Sequence, residues 1–341
     1  MTIRTLSVMT ITALAAANGF GAGKGAFFVM RFDDNKPVKE WREVAEIFEE
    51  QGIRCSFAVN PASLKPEQAA CLRELAAKGH EIMDHTASHS MYALKDERGE
   101  TVRFDPVVDR DNARNFRFTA AIKDGRLICS DEKAVKKIGY SGKFYVPSID
   151  KVYGLGKRGK WGELGTAPEW YIAGFWGGEV EDVPEQEMLA LDRTAVKPSE
   201  ATLRTQAEYS VKRFKELGLP QPRTWIQPGG WETPQAAETL SAVYSRYGYR
   251  AADCYIGAGP LQWRFQSNFN YFDVNQSVSQ VCARVERAIK AGRPFAYISH
   301  QRLGLPGGRQ EFLQRTREFA KWLKDNRIPC ATYSAIADFS E

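Results

Sequence analysis

The sequence predicts an α/β barrel interrupted by a β-rich insertion, and three observations carry that prediction. Short apolar runs alternate with amphipathic helical stretches on both sides of residues 90–198. Glycine and proline punctuate most of the boundaries. Residues able to do chemistry gather where predicted strands end, the place at which such folds keep their functional groups. A chain of 341 residues, 43% of them hydrophobic, is long enough to bury a core of that size.

Residues 26–32, AFFVMRF, form a nearly continuous apolar run ahead of Asp33-Asp34, as expected of a parallel strand buried on both faces. A helix follows, since Val38, Trp41, Val44, Ala45 and Phe48 recur at helical spacing, with Pro37 near its start and Gly52 at its end. A second strand at 54–59, a helix at about 66–78 stopped by Gly79, and a strand at 80–83 lead into Asp84-His85. After the insertion come a helix at 202–217, a strand at 224–227, and a helix opened by Thr233 and Pro234. Strands near 250–255, 269–273, 295–299 and 329–333 then alternate with helices at 277–291 and 310–326. Seven or eight strand–helix units of this kind suffice to close a barrel.

Between 90 and 198 the alternation stops. Residues 116–129 alternate with period two on either side of Asp124-Gly125, which predicts a hairpin, and 142–149 adds a further strand. The insertion follows His85 and His89 directly, so it is expected over the rim that carries them.

The net charge of +5 is spread along the chain without a Lys/Arg block. With no zinc-finger spacing and no RNP-like motif, nucleic acid is not an expected partner. The six cysteines lie far apart without a C-x-x-C pair, and are expected to be buried small residues. Residues 1–25 read either as a signal peptide, with Arg4, an apolar run and Ala15-Ala16-Ala17, or as a loosely ordered N-terminus. The first places the protein in the periplasm or outside the cell, the second in the cytoplasm. No segment approaches the roughly 20 apolar residues of a membrane span.

Three of the four histidines fall in two short segments at predicted strand ends. His85 and His89, four apart, would point to one side of a helical turn, close enough for a single ion to bridge them. Asp33-Asp34 supplies carboxylates at a neighbouring strand end. One carboxylate and two imidazoles make a three-ligand site with room for water, suited to Zn²⁺ or a similar borderline ion.

In order, Phe32-Asp33-Asp34, the stretch Gly79-His80-Glu81-Ile82-Met83-Asp84-His85-Thr86-Ala87-Ser88-His89, Gln227-Pro228-Gly229-Gly230 and Tyr297-Ile298-Ser299-His300 resemble the motifs of the polysaccharide deacetylases, the NodB-like domains of carbohydrate esterase family four. The resemblance covers about 26–89 and 202–333. It implies a distorted (β/α)7 barrel over 26–341 and removal of N- or O-linked acetyl groups from an acetylated poly- or oligosaccharide. Carried over by motif, Asp34, His85 and His89 hold a divalent metal, zinc first, with cobalt, nickel or iron as alternatives. Asp33 is then the general base and His300 the general acid, with Asp273 orienting His300. Gln227, Gly229, Gly230 and Trp231 line the substrate and oxyanion side.

The departures are as specific as the matches. Gln227 stands where the family has an arginine paired with the base, so Asp33 is expected to lose a cation, and Arg223 lies too far along the strand to replace it. Val274 stands where a tryptophan is common and Asp84 where an asparagine is. Trp161, Trp170, Tyr171, Trp176 and Trp231 are candidates for stacking on sugar rings, with a core role the commoner fate of aromatics. His80 is expected to be structural. Two other readings remain open: a C–N hydrolase of non-sugar amides, and a non-catalytic carbohydrate-binding barrel, for which the missing arginine speaks most.

Overall fold

The structure is a computed structural model that describes residues 25–96, 98–138, 142–157, 170–174, 179–228, 234–253, 272, 276–301 and 307–338. Its first half runs β1 (Phe28–Asp33), α1 (Val38–Glu49), β2 (Ser56–Val59), α2 (Pro66–Ala77) and β3 (Glu81–Asp84). The insertion holds β4 (Ala93–Lys95), β5 (Thr101–Arg103), β6 (Val107–Val108), β7 (Phe116–Lys123), β8 (Arg126–Ile128), α3 (Glu132–Ile138), β9 (Lys143–Val146), β10 (Lys151–Lys157), β11 (Trp170–Gly174), β12 (Val183–Leu191) and β13 (Val196–Lys197). The second half runs α4 (Glu200–Glu216), β14 (Thr224–Ile226), α5 (Pro234–Ser245), β15 (Ala251–Asp253), α6 (Val278–Lys290), β16 (Phe295–Ser299) and α7 (Gly308–Asp325).

Six parallel strands from the two halves form one sheet in the order β15-β14-β3-β2-β1-β16. Period two sorts its side chains. Phe28, Met30 and Phe32 of β1, with Phe57 and Val59 of β2, pack against Trp41, Phe48, Leu72, Phe312 and Phe319 from the helices. Val29, Ala58, Met83, Ile226, Ala251 and Ala296 face the other way, onto Tyr333 and Ile336. The C-terminal segment therefore fills the inner face of the curved sheet. Of the strand expected at 269–273 only Phe272 is described, and its N–H donates to the Ile298 carbonyl at 2.8 Å, which sets it beside β16.

The expected strand at 329–333 is corrected to a single bridge between Phe28 and Cys330, followed by a 3-10 turn at Tyr333–Asp338. Its ladder donors are diverted: the Tyr333 N–H goes to Ser56 Oγ at 2.9 Å and the Ser334 N–H to Glu81 Oε2 at 2.8 Å.

The insertion is β-rich as expected, and the expected hairpin is β7–β8, with Asp124 and Gly125 both at positive φ in its turn. Its strands close a barrel of their own in the order β10-β11-β8-β7-β12-β9, which the sequence did not disclose. Phe118, Phe144, Tyr153 and Met188 are in its own apolar core. The cysteines described, Cys55, Cys71, Cys129, Cys282 and Cys330, are free thiols.

Candidate active site

Three strand ends build the site. Asp33 closes β1, and Asp34 follows at φ 73, a left-handed turn that swings its carboxylate out of the strand line. His85 follows β3, and Gln227 follows β14.

The His85–His89 segment is a turn, which corrects the expected helical one. Thr86 and His89 both have positive φ, at 63 and 58. The carbonyls that a helix would use for its own ladder are taken elsewhere: Asn60 Nδ2 donates to the His85 carbonyl at 2.6 Å and the Thr86 carbonyl at 3.2 Å. Thr86 Oγ1 accepts from the Ser90 N–H at 3.0 Å. The two rings still meet, with centroids 4.8 Å apart and planes nearly perpendicular.

Asp34 Oδ1 lies 3.3 Å from His89 Nε2 and 3.6 Å from His85 Nε2, and one ligand atom from each of the three residues falls within 4.8 Å of the others. Donors about 2.0–2.2 Å from a tetrahedral ion stand roughly 3.3–3.6 Å apart, so the two Asp34–histidine spacings suit a shared cation. His85 is buried, and its Nε2 has no hydrogen-bond partner. Its Nδ1 lies 3.1 Å from the Ile226 carbonyl oxygen. A carbonyl can only accept, so Nδ1 carries the proton and the Nε2 lone pair is left for a Lewis acid. His89 is half exposed, which opens the site to solvent on that side.

Electrostatics agrees with this geometry. Burial pushes the Asp34 carboxyl up, but the adjoining imidazoles of His85 and His89, with Lys36, hold it far below the ordinary range. Burial pulls the His85 imidazole down, and Asp34 and Asp33 more than reverse this, leaving it above its ordinary value. The cluster thus attracts positive charge, whether protons or a metal ion.

Asp33 is buried beside it, and here the sequence expectation fails. Asp33 has a cation: Arg31 Nε donates to Oδ1 and Nη2 to Oδ2, both at 2.8 Å. The partner missing at position 227 is supplied by β1 itself, where residues two apart share a face. Burial raises the Asp33 carboxyl, but Arg31, His85 and His300 outweigh it and hold the group below the usual carboxylate range. His300, just past β16, is thus brought to the same rim as Asp33. Gln227 and Gln301 are also buried, and neither side-chain amide has a hydrogen-bond partner.

Sequence reading missed Arg31, Asn35, Asn60 and Gln301. Asn35 accepts the Asn60 N–H at 3.0 Å and donates to the Asn60 carbonyl at 2.9 Å, tying the β1 loop to the residue that clamps the His85 turn. An i, i+2 Arg–Asp pair in a strand was the available signal for Arg31; the asparagines left none. His80 is structural as expected, taking the Cys55 N–H on Nδ1 at 3.0 Å and lying 2.9 Å from Glu49 through Nε2. Asp273, Gly229, Gly230, Trp231, Trp161 and Trp176 lie outside the described residues, as does the segment 1–24; Trp170 and Tyr171 are described as backbone within β11.

The family model for polysaccharide deacetylase matches residues 22–112, which include Asp33, Asp34, His85 and His89 and reach into the insertion. Among solved structures, the chain is similar to a family 4 carbohydrate esterase from Streptomyces lividans in complex with acetate, at 11% identity over 91% of this chain and 93% of that one, TM-score 0.42. It is similar to a family 4 acetyl xylan esterase from Clostridium thermocellum in complex with a cobalt ion, at 11% identity, 91% and 89% coverage and TM-score 0.42. A CE4 family pseudoenzyme from Bacillus anthracis overlaps at 7% identity, 92% and 66% coverage and TM-score 0.45. TM-scores this low mark loose likenesses that carry no function across. No curated protein matches the chain. Among the described residues no helix is long and apolar enough to cross a membrane.

Proposed function

From the match of residues 22–112 to the polysaccharide deacetylase family, we propose that the chain is a metal-dependent hydrolase that removes N- or O-linked acetyl groups from a polysaccharide or amino sugar. The observation that carries this reading is the convergence of Asp34, His85 and His89 on one point, with the buried Nε2 of His85 left unpartnered there.

Asp34, His85 and His89 would hold the ion, and two imidazoles with one carboxylate favour zinc, with cobalt, nickel or iron(II) as alternatives. Bound there, a divalent cation would polarise the acetyl carbonyl and lower the pKa of water from 15.7 toward ~7. Asp33, an anion in a buried setting, accepts the proton of the attacking water. His300 returns a proton to the departing amine or alkoxide, with Asp273 as its orienting partner. By motif, Gln227 and residues 229–231 are assigned to the oxyanion and acyl side of the substrate. Residues 1–25 are proposed to direct export toward an extracellular or periplasmic glycan.

A non-catalytic carbohydrate-binding barrel loses its best support, because Arg31 occupies the charge role that Gln227 cannot fill. Acetate release from chitooligosaccharides and acetylated xylan, measured with and without a chelator, tests the proposal beside a panel of small non-sugar amides. Turnover confined to the small amides would leave a C–N hydrolase of another class, and glycan binding without turnover would end the hydrolase reading.

A further inference from the structure

Arg31 is the least expected residue of the site. It interrupts an apolar run, yet it is among the largest fully buried side chains, at 1% exposure. Its guanidinium engages both oxygens of Asp33 in the two-pronged geometry that fixes a carboxylate in position as well as in charge. On its other side the guanidinium carbon lies 5.8 Å from the ring centre of Tyr333, within cation–π range. Tyr333 is fully buried and opens the C-terminal 3-10 turn, whose backbone is pinned to Ser56 and Glu81. A chain of contacts therefore runs from the C-terminal segment through Arg31 to Asp33.

We propose that Arg31 is the positioning residue for Asp33 and that Tyr333, from the C-terminal turn, holds Arg31 in place. The inference rests on the hydrolase reading in taking Asp33 as the base. In this assignment Arg31 works through Asp33. It acts by fixing where the carboxylate points, and misplacement of a reacting group by about 1 Å costs on the order of 100-fold in rate. Lysine at this position keeps the charge and loses the fork; leucine at 333 keeps an apolar floor and loses the ring face.

The full-length protein carrying Arg31→Met, Arg31→Lys or Tyr333→Leu decides the matter, read by metal content, melting temperature, and kcat and KM on an acetylated chitooligosaccharide. The expected pattern is unchanged metal content, KM within about threefold, and kcat reduced about 100-fold in the methionine variant and about tenfold in the other two. If the methionine variant does not fold, the lysine variant decides: kcat within twofold of the parent overturns the proposal, and a kcat loss with KM kept supports it. A crystal structure of the lysine variant gives a readout free of activity. An Asp33 carboxylate rotated from its parental position supports the proposal, and an unmoved one overturns it. Should the parent itself release no acetyl group, the proposed function fails, and that crystal structure still decides whether Arg31 positions Asp33.

Discussion

The Nδ1 of His85 lies 3.1 Å from the carbonyl oxygen of Ile226, so the end of β14 sets the tautomer of a ring that follows β3. That contact commits His85 to presenting a bare Nε2 beside Asp34. His85→Ala removes one of the three proposed ligands and is expected to lower metal affinity by more than 100-fold, whereas His89→Ala, which removes a half-exposed ring, costs less. Elemental analysis after dialysis against a weak chelator separates them. Equal metal retention in the His85 variant and the parent would remove His85 from the site.

Asp33 and Asp34 are adjacent, yet their surroundings assign them different work. Asp34 faces the imidazoles, while Asp33 is locked in the Arg31 fork. Asp33→Asn is expected to keep the metal and lose about 10³-fold in kcat, within the range for a general base. Undiminished turnover in this variant would exclude Asp33 as the base.

In the proposed site, protons and metal compete for His85. Its pKa is raised above the ordinary value near 6.5, because Asp34 and Asp33 outweigh the effect of burial. Below that raised pKa a metal ion must displace the proton, so apparent affinity should fall as pH falls, up to tenfold per unit for one released proton. Calorimetric titration with Zn²⁺ between pH 5.5 and 8, in buffers of different ionisation heat, counts the protons released. Affinity independent of pH across that range would contradict the assignment.

Asn60 ties together the two loops that carry the proposed ligands, through the His85 and Thr86 carbonyls on one side and Asn35 on the other. Asn60→Ala leaves two buried carbonyls short of a donor, a loss of roughly 1–3 kcal/mol. Metal affinity should drop 10- to 100-fold, as for other groups that orient ligands. A melting temperature and metal affinity both equal to the parent's would show that the turn holds itself.

The sequence disclosed most where a pattern was local. β1 and α1 follow from an apolar run and from helical spacing. Asp34, His85 and His89 were legible because histidine is rare in this chain and these residues fall at strand ends. What stayed hidden depends on partners distant in sequence. The closed barrel of the insertion joins β7 to β12, some seventy residues apart, as Arg117 pairs with Leu189. The left-handed backbone at Thr86 and His89 is announced by no glycine, and the carbonyls of His85 and Thr86 are held by Asn60, 25 and 26 residues away in sequence. Arg31 was readable in principle, since positions 31 and 33 share a strand face, but a charge inside an apolar run looks like an interruption until its partner is seen.

Asp84 gives a prediction of opposite sign to most carboxylates. It is fully buried, and burial lifts its pKa from 3.8 to about 6, against the lowering effect of hydrogen bonds from Tyr249 and Ser210. Between about pH 4 and about pH 6 the folded chain therefore keeps a proton that the unfolded chain has released. The folded state binds more protons in that window, so this group makes stability fall as pH rises, and the loss is complete above the folded pKa. The size is on the order of 3 kcal/mol. Asp84→Asn retains one oxygen as acceptor and cannot ionise. In metal-free protein its melting temperature should match or trail the parent's at pH 4 and exceed it at pH 7.5. A gap between the two that stays constant over that range would mean that Asp84 titrates alike in folded and unfolded chains, and that Tyr249 and Ser210 fully offset its burial.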